Sequence, residues 1–370
     1  MRQMIIQDYD GLDRWIHNDH INKILLVCGR SIRFQDKLNE HLDLISKAGT
    51  EIIKFQDFLP NPLYESVLKG VEIFRSEQCD AIMAVGGGSA IDVAKCIKLY
   101  SNMNGNGSDG DFLKQDIIPN EIPFMAIPTT AGTGSEATRF AVIYYRGEKH
   151  SVADHSAIPQ AVLLDAGTLN SLPDYQRKSS MFDALCHAME SFWSLNSTEL
   201  SMKYSWQSIR MIIDNLDGYL KNTESGNLAM LTAANIAGKA INITETTAGH
   251  AMCYKITSLY NCAHGHAAIL CDKVLFPWTM NHLDKCIDSR GKQHLESVFQ
   301  QIADAMRCRT AQNAANKLNE IFYASGLEIP KAAGSDYNIL INSVNQDRLK
   351  NHPVSLSKED INILYHSILK

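Results

Sequence analysis

The stretch AVGGGSAIDVAK, residues 84–95, is an apolar run halted by three consecutive glycines and followed at once by a helix-forming sequence. A short run apolar on both faces, then glycine, then a helix start, is the junction of a parallel sheet whose faces are covered by helices. The same junction is a phosphate cradle. Small residues let backbone N–H groups approach an anion, and the helix N-terminus adds a positive partial charge. Ser89 is placed to cap that helix. The spacing fits neither G-x-G-x-x-G nor the P-loop, and a tight turn without a ligand is the plain alternative.

The surrounding sequence repeats the alternation. KILLVCG (23–29), EIIKFQDF (51–58), AIMAVGGG (81–88), IPFMAIPTT (122–130) and QAVLLD (160–165) read as buried strands, and SVLKGVEIFRSEQCD (66–80) carries helical apolar spacing. NGNGSDG (104–110) reads as a polar surface excursion. After SLPD (171–174) helical periodicity takes over, as in YQRKSSMFDALCHAMESFWS and HLESVFQQIADAMRC. With 370 residues, the chain exceeds what one core of ~250–300 residues holds. We therefore expect two domains: 1–173, α/β and nucleotide-binding, and 174–370, helical, for metal and substrate.

Composition excludes other classes. A net charge of −6, with scattered Lys and Arg, leaves no footprint for nucleic acid. No stretch reaches the ~18 uninterrupted apolar residues of a membrane span, and the acidic start MRQMIIQDYDGLDRW is no signal peptide. Nine cysteines without C-x-x-C spacing, mostly in apolar runs, are the reduced thiols of a cytoplasmic protein. Neither nucleic acid nor membrane is an expected partner.

A second loop, IPTTAGTGSEAT (127–138), offers the hydroxyls of Thr129, Thr130, Thr133 and Ser135, with Gly132 and Gly134 permitting close backbone approach. Two such loops after two strands suggest a cofactor containing a pyrophosphate. The first strand ends in Gly29, Arg30 and Ser31, where dinucleotide folds that select NAD(H) place an acid. That favours NADP(H) over NAD(H), against the alternative of a solvated arginine.

In FDALCHAME (182–190), Asp183 and His187 stand at i and i+4 on one helix face, a spacing that suits two ligands of one divalent ion. Their flanks are apolar, and a buried ionisable pair needs a partner. His250 and His264 of GHAMCYKITSLYNCAHGH (249–266) are able to complete the shell. One carboxylate and three imidazoles accept Fe(II), Zn(II), Co(II) or Ni(II).

Taken together, GGGSAIDVAK, IPTTAGTGSEAT, FDALCHAME and the H-x13-H pair resemble the iron-containing (group III) alcohol dehydrogenases, in the family's order over about residues 20–280. The resemblance implies a Rossmann-like α/β N-terminal domain, an all-α C-terminal domain, and a cleft holding NAD(P) and a metal, the fold shared with dehydroquinate synthase. It places Asp183, His187, His250 and His264 on the ligand positions of Fe(II), with Zn(II) an alternative. Gly86, Gly87, Gly88, Ser89, Asp92, Thr129, Thr130 and Thr133 fall on nucleotide-contact positions, and Lys149 aligns more loosely near the nicotinamide ribose. A homodimer is the expected assembly.

One place departs from the family. Where most members carry a histidine four residues after the third ligand, this chain has Tyr254 followed by Lys255, and His266 replaces an aliphatic residue. A lysine here suits an anionic substrate, with Arg139 and His266 as helpers, and the pattern resembles the phosphonoacetaldehyde reductase branch. The expected reaction is reduction of that aldehyde to 2-hydroxyethylphosphonate, with Tyr254, His266 or water delivering the proton. A butanol-type dehydrogenase acting on uncharged aldehydes, a non-redox lyase of the dehydroquinate synthase type and a binding protein that has lost catalysis are the rivals.

Overall fold

The computed structural model describes residues 3–370. The chain divides into two compact units. The first runs up to Thr130 and resumes at Gly134–Leu172; the second comprises Ala131–Thr133 and Pro173–Lys370.

The first unit holds strands β1 (Met4–Ile6), β2 (Lys23–Cys28), β3 (Glu51–Phe55), β4 (Ala81–Gly86), β5 (Phe124–Pro128), β6 (Phe140–Tyr145), β7 (Glu148–Ala153) and β8 (Ala161–Leu163). Helices α1 (Tyr9–Asn18), α2 (Asp36–Lys47), α3 (Tyr64–Ser76) and α4 (Gly88–Ser101) connect them. Six strands form a sheet in the order β1-β8-β5-β4-β2-β3, every pair parallel. Side chains alternate across it with the period of two that a strand imposes. Leu25, Val27, Ile82 and Ala84 pack with Val67 and Val71 of α3 and Ile91 and Ile97 of α4. Ile24, Leu26, Met83 and Val85 pack on the other face with Leu12 and Trp15 of α1 and Leu38 and Leu42 of α2. Burial on both faces explains why these strands read as continuous apolar runs.

Three features differ from the sequence reading. Strands β6 and β7 form a separate antiparallel hairpin, and the three-residue β1 adds an edge beside β8. The 104–110 segment lies at the surface as expected but is anchored: the Tyr64 hydroxyl donates to the Gly107 carbonyl at 2.6 Å, and Gly107 and Gly110 are buried. Helix α4 starts at Gly88 with Gly87 at its cap, so Ser89 lies inside the first turn and caps nothing.

The second unit is helical: α5 (Asp174–Trp193), α6 (Glu199–Leu220), α7 (Glu224–Thr244), α8 (Ala248–Tyr260), α9 (His264–Asn281), α10 (Lys292–Ala305), α11 (Ala311–Ser325), α12 (Asp336–Asn342), α13 (Gln346–Leu349) and α14 (Lys358–Ile368). Helix α5 is buried on nearly all sides from Met181 to Trp193, the mark of a central helix. Among the described residues no helix is long and apolar enough to cross a membrane.

Candidate metal centre and nucleotide loops

Helix α5 presents Asp183, His187 and Glu190 at i, i+4 and i+7, on one stripe. His250 lies in the first turn of α8, and His264 opens α9. Two glycines let these helices approach. A Cβ on Gly265 would sit 2.6 Å from the Cβ of Asp183, and one on Gly249 would sit 2.7 Å from Glu190 Oε1.

The approach gathers four donor atoms. Asp183 Oδ1 lies 3.6 Å from His250 Nε2, 3.9 Å from His264 Nε2 and 4.0 Å from His187 Nε2. Ligands about 2.1 Å from a tetrahedral ion are roughly 3.4 Å apart; Asp183, His187 and His250 have donor atoms within 4.8 Å of one another, and His264 approaches that group through Asp183. The rings of His187 and His250 stack at 4.5 Å.

Each imidazole also has its Nδ1 set against an acceptor, which turns Nε2 toward the shared space. His187 Nδ1 faces the Gly132 carbonyl at 3.4 Å, His264 Nδ1 lies 3.8 Å from Cys253 Sγ, and His250 Nδ1 donates to Glu190. Glu190, fully buried, also accepts from Thr247 N at 2.5 Å and His250 N at 3.1 Å, so it caps α8 while orienting its ligand. Burial opposes its charge, but His250 and these hydrogen bonds outweigh burial and hold its pKa down to about 2. Burial likewise resists a charged His250, yet Glu190 and Asp183 lift it to about 10. Behind Glu190, burial and then the Glu190 charge raise the pKa of Asp272 well above its ordinary value.

Asp183 Oδ1 and His250 Nε2 are buried and have no hydrogen-bond partner. Orphaned buried polar atoms that converge on one point are costly, and a divalent cation satisfies both. The residues therefore fit the ion.

In the first unit, the C-terminal ends of β2, β4 and β5 bring the glycine loops together. Gly29 N donates to Val85 O at 3.4 Å, and Thr129 N donates to Gly86 O at 3.0 Å. Gly86 has no room for a side chain above Ala90, and a Cβ on Gly87 would meet Thr130 Oγ1 at 3.1 Å. Asp92 is taken up by the fold: it accepts from Ser135 Oγ at 2.6 Å and Val142 N at 3.0 Å. Lys95, fully buried, donates to Ser135, Thr138 and the Phe140 carbonyl. The first motif thus clamps the second loop. Thr133 groups with the second unit, apart from Thr129 and Thr130. Lys149 lies on β7; burial raises the pKa of Asp92, and Lys95 and, more weakly, Lys149 pull it the other way. Beside Gly29, a cavity of about 600 Å³ is lined by Arg30, Arg33, Lys54, Asn39, Asp43 and Gln56, among others.

Two of the expected substrate contacts take different places. Tyr175 hydrogen-bonds His266 Nδ1 at 3.1 Å, and His266 Nε2 meets the Glu328 carbonyl at 2.9 Å. Burial lowers its pKa. With both nitrogens engaged and the ring neutral, His266 has neither a charge nor a proton to offer substrate. On an α-helix Lys255 is turned about 140° from His250, whereas Tyr254 is turned only about 40°. Lys255 therefore leaves the ligand face and Tyr254 shares it, its ring stacked on His264 at 5.8 Å and 11°. Burial raises the Tyr254 hydroxyl beyond the ordinary tyrosine range, while a hydrogen bond from Arg348 pulls the other way. Arg139 lies in the first unit with its guanidinium over the Phe140 ring at 4.2 Å.

Residues not foreseen are Glu190, Asp272, Arg348 and Glu245. Arg348 pairs with Glu245, which has φ 60° and ψ 179°, a region that costs a residue other than glycine about 1–3 kcal/mol. Of these, Glu190 alone carried a signal, its i+7 position on the ligand stripe.

A family model for "Iron-containing alcohol dehydrogenase" matches residues 7–166, and one for "Fe-containing alcohol dehydrogenase family, C-terminal" matches residues 178–369. The chain belongs to the iron-containing alcohol dehydrogenase family. It is 28% identical over 282 residues to an aldehyde-alcohol dehydrogenase of Streptococcus pneumoniae, covering 71% of this chain but 31% of that longer protein. It is 28% identical over 314 residues to the phosphonoacetaldehyde reductase of Streptomyces viridochromogenes, covering 80% of this chain and 78% of that one. In fold it resembles the sulfoacetaldehyde reductase of Bifidobacterium kashiwanohense, solved with NAD+, with a TM-score of 0.88 at 22% identity over 99% and 96% of the two chains.

Proposed function

We propose that the protein is a cytoplasmic, homodimeric reductase. It converts a short aldehyde bearing an anionic group, phosphonoacetaldehyde foremost, to the alcohol at the expense of NADPH. The balance is aldehyde plus NADPH plus one proton, giving alcohol and NADP+. The observation that carries the metal-dependent reading is the pair of orphaned atoms, Asp183 Oδ1 and His250 Nε2, within a set whose every imidazole has its Nδ1 against an acceptor, and membership of the alcohol dehydrogenase family supports the redox one.

Asp183, His187, His250 and His264 would hold the ion, Fe(II) foremost and Zn(II) next. Gly86–Ser89 and Thr129–Thr133 would cradle the pyrophosphate, with Lys149 near the nicotinamide ribose. When bound, the ion polarises the carbonyl and the reduced nicotinamide supplies the hydride. Tyr254 stays protonated at neutral pH, so its hydroxyl, or a water, is the donor for the developing alkoxide. Arg30, Arg33 and Lys54 around one cavity beside Gly29 support NADP(H), because a 2′-phosphate there would meet three cations and the single carboxylate of Asp43. The phosphonoacetaldehyde reductase relative supports an anionic substrate. The aldehyde-alcohol dehydrogenase relative favours a second reading, an uncharged aldehyde, which the placement of Lys255 also allows.

The test is NADPH oxidation by anaerobic, iron-loaded protein with phosphonoacetaldehyde, butyraldehyde, lactaldehyde and succinic semialdehyde. Preference for phosphonoacetaldehyde is expected. Preference for butyraldehyde would select the second reading, and faster turnover with NADH would overturn the assignment of the basic cavity.

A further inference from the structure

We infer that Arg348, rather than Lys255, grips the anionic end of the substrate; this rests on the reading that the substrate carries one. Asp183, His187 and His250 have side chains no more than 7% exposed, whereas His264 is 39% exposed. Of the four, His264 is the side chain open to solvent. Tyr254 covers that ring, and the Arg348 guanidinium lies on the Tyr254 hydroxyl. The sequence pointed to Lys255 for this role and not to Arg348, which lies far along the chain on the short helix α13.

The backbone holds Arg348 there. Asn345 N donates to the Ala251 carbonyl at 3.3 Å, one residue after the ligand His250. The Asn345 side chain accepts from Arg348 N at 2.9 Å. The α13 turn is thereby fixed to the ligand-bearing helix. Its guanidinium suits the task better than a lysine would, since a planar fork offers paired donors to a phosphonate or sulfonate oxygen pair.

Glu245 completes the arrangement. Its carboxylate pairs with Arg348 and is the more exposed partner, at 37% against 20%. It sits on backbone that glycine would adopt more readily. The strained residue thus presents a counter-ion to Arg348, as a binding device would. The carboxylate occupies one donor of the fork and yields it when a more highly charged anion arrives. A plain latch between the end of α7 and α13 would use the same contacts, and the two roles separate experimentally.

The experiment compares wild type, R348A and R348K, each metal-loaded, on phosphonoacetaldehyde and on butyraldehyde. It also measures the dissociation constant of 2-hydroxyethylphosphonate by calorimetry. Loss of charged hydrogen bonds is expected to lower kcat/KM for phosphonoacetaldehyde by ~10–100-fold, chiefly through KM. The phosphonate should bind correspondingly more weakly, with a much smaller change on butyraldehyde. R348K should fall between, keeping the charge and losing the fork; it also carries the test if R348A does not fold. Equal losses on both aldehydes would show a latch and overturn the inference, as would unchanged phosphonate binding in both variants. If wild type itself prefers butyraldehyde, the anionic-substrate reading fails first and takes this inference with it. If wild type prefers phosphonoacetaldehyde and R348A does too, Arg348 alone is wrong.

Discussion

Glu190 shows how much of a metal centre lies behind its ligands. Its carboxylate fixes the His250 tautomer and caps α8, two jobs for one buried charge. E190Q keeps the volume but not the charge, and outer partners of this kind contribute ~10–100-fold in metal affinity. Competition with a graded chelator should show a loss of that size; an unchanged affinity would remove Glu190 from the centre. The candidate ligands on α5 stood out in the sequence because the i, i+4 pair in FDALCHAME sits in an apolar frame that no surface pair would need. His266 was misleading for a physical reason. A sequence shows a histidine near ligands but not that Tyr175 and the Glu328 carbonyl have already claimed both its nitrogens.

At the level of elements, the close approach of α9 to α5 depends on Gly265. A Cβ there would lie 2.1 Å from the Ser179 carbonyl oxygen and 2.8 Å from Asp183 N, backbone atoms that cannot rotate aside, as well as against the Asp183 Cβ. G265A should push the first turn of α9 off α5, costing roughly 1–3 kcal/mol as overpacking does and carrying His264 away from Asp183. A fall in thermal midpoint with loss of bound metal is expected, and a variant that binds metal normally would show that the helices tolerate separation. The buried strands were legible from their continuous apolar runs. Strand β1 was not, having only three residues, and the β6–β7 hairpin was hidden by its half-buried and largely exposed pattern.

For the molecule as a whole, pH is the most direct probe of its buried polar groups. His352 is fully buried, with Nε2 on the Thr279 hydroxyl at 3.2 Å. Burial lowers its pKa from 6.5 to about 4, against a weaker upward pull from Glu190. A base depressed in the folded state binds its proton more readily when unfolded. Its contribution is intact above pH 6.5 and is lost progressively as pH falls toward 4, amounting to ~3 kcal/mol. H352Q should be less stable than wild type at pH 7 yet lose less between pH 7 and 4.5 in thermal unfolding. Equal losses would assign the acid sensitivity to other groups. The change in sequence texture near residue 173 reflected two kinds of core, sheet-centred and helix-centred, which is why the fold class was readable before any side chain was placed.

The hold on α8 from the far end of the chain bears on how the centre is made. Asn345 binds the Ala251 carbonyl, and the Tyr365 hydroxyl donates to the Met252 carbonyl at 2.9 Å. During synthesis all four ligands leave the ribosome long before those two residues. A nascent chain thus carries every donor atom while the helix that bears His250 still lacks its support. The support of that helix is therefore assembled after the donor atoms it steadies.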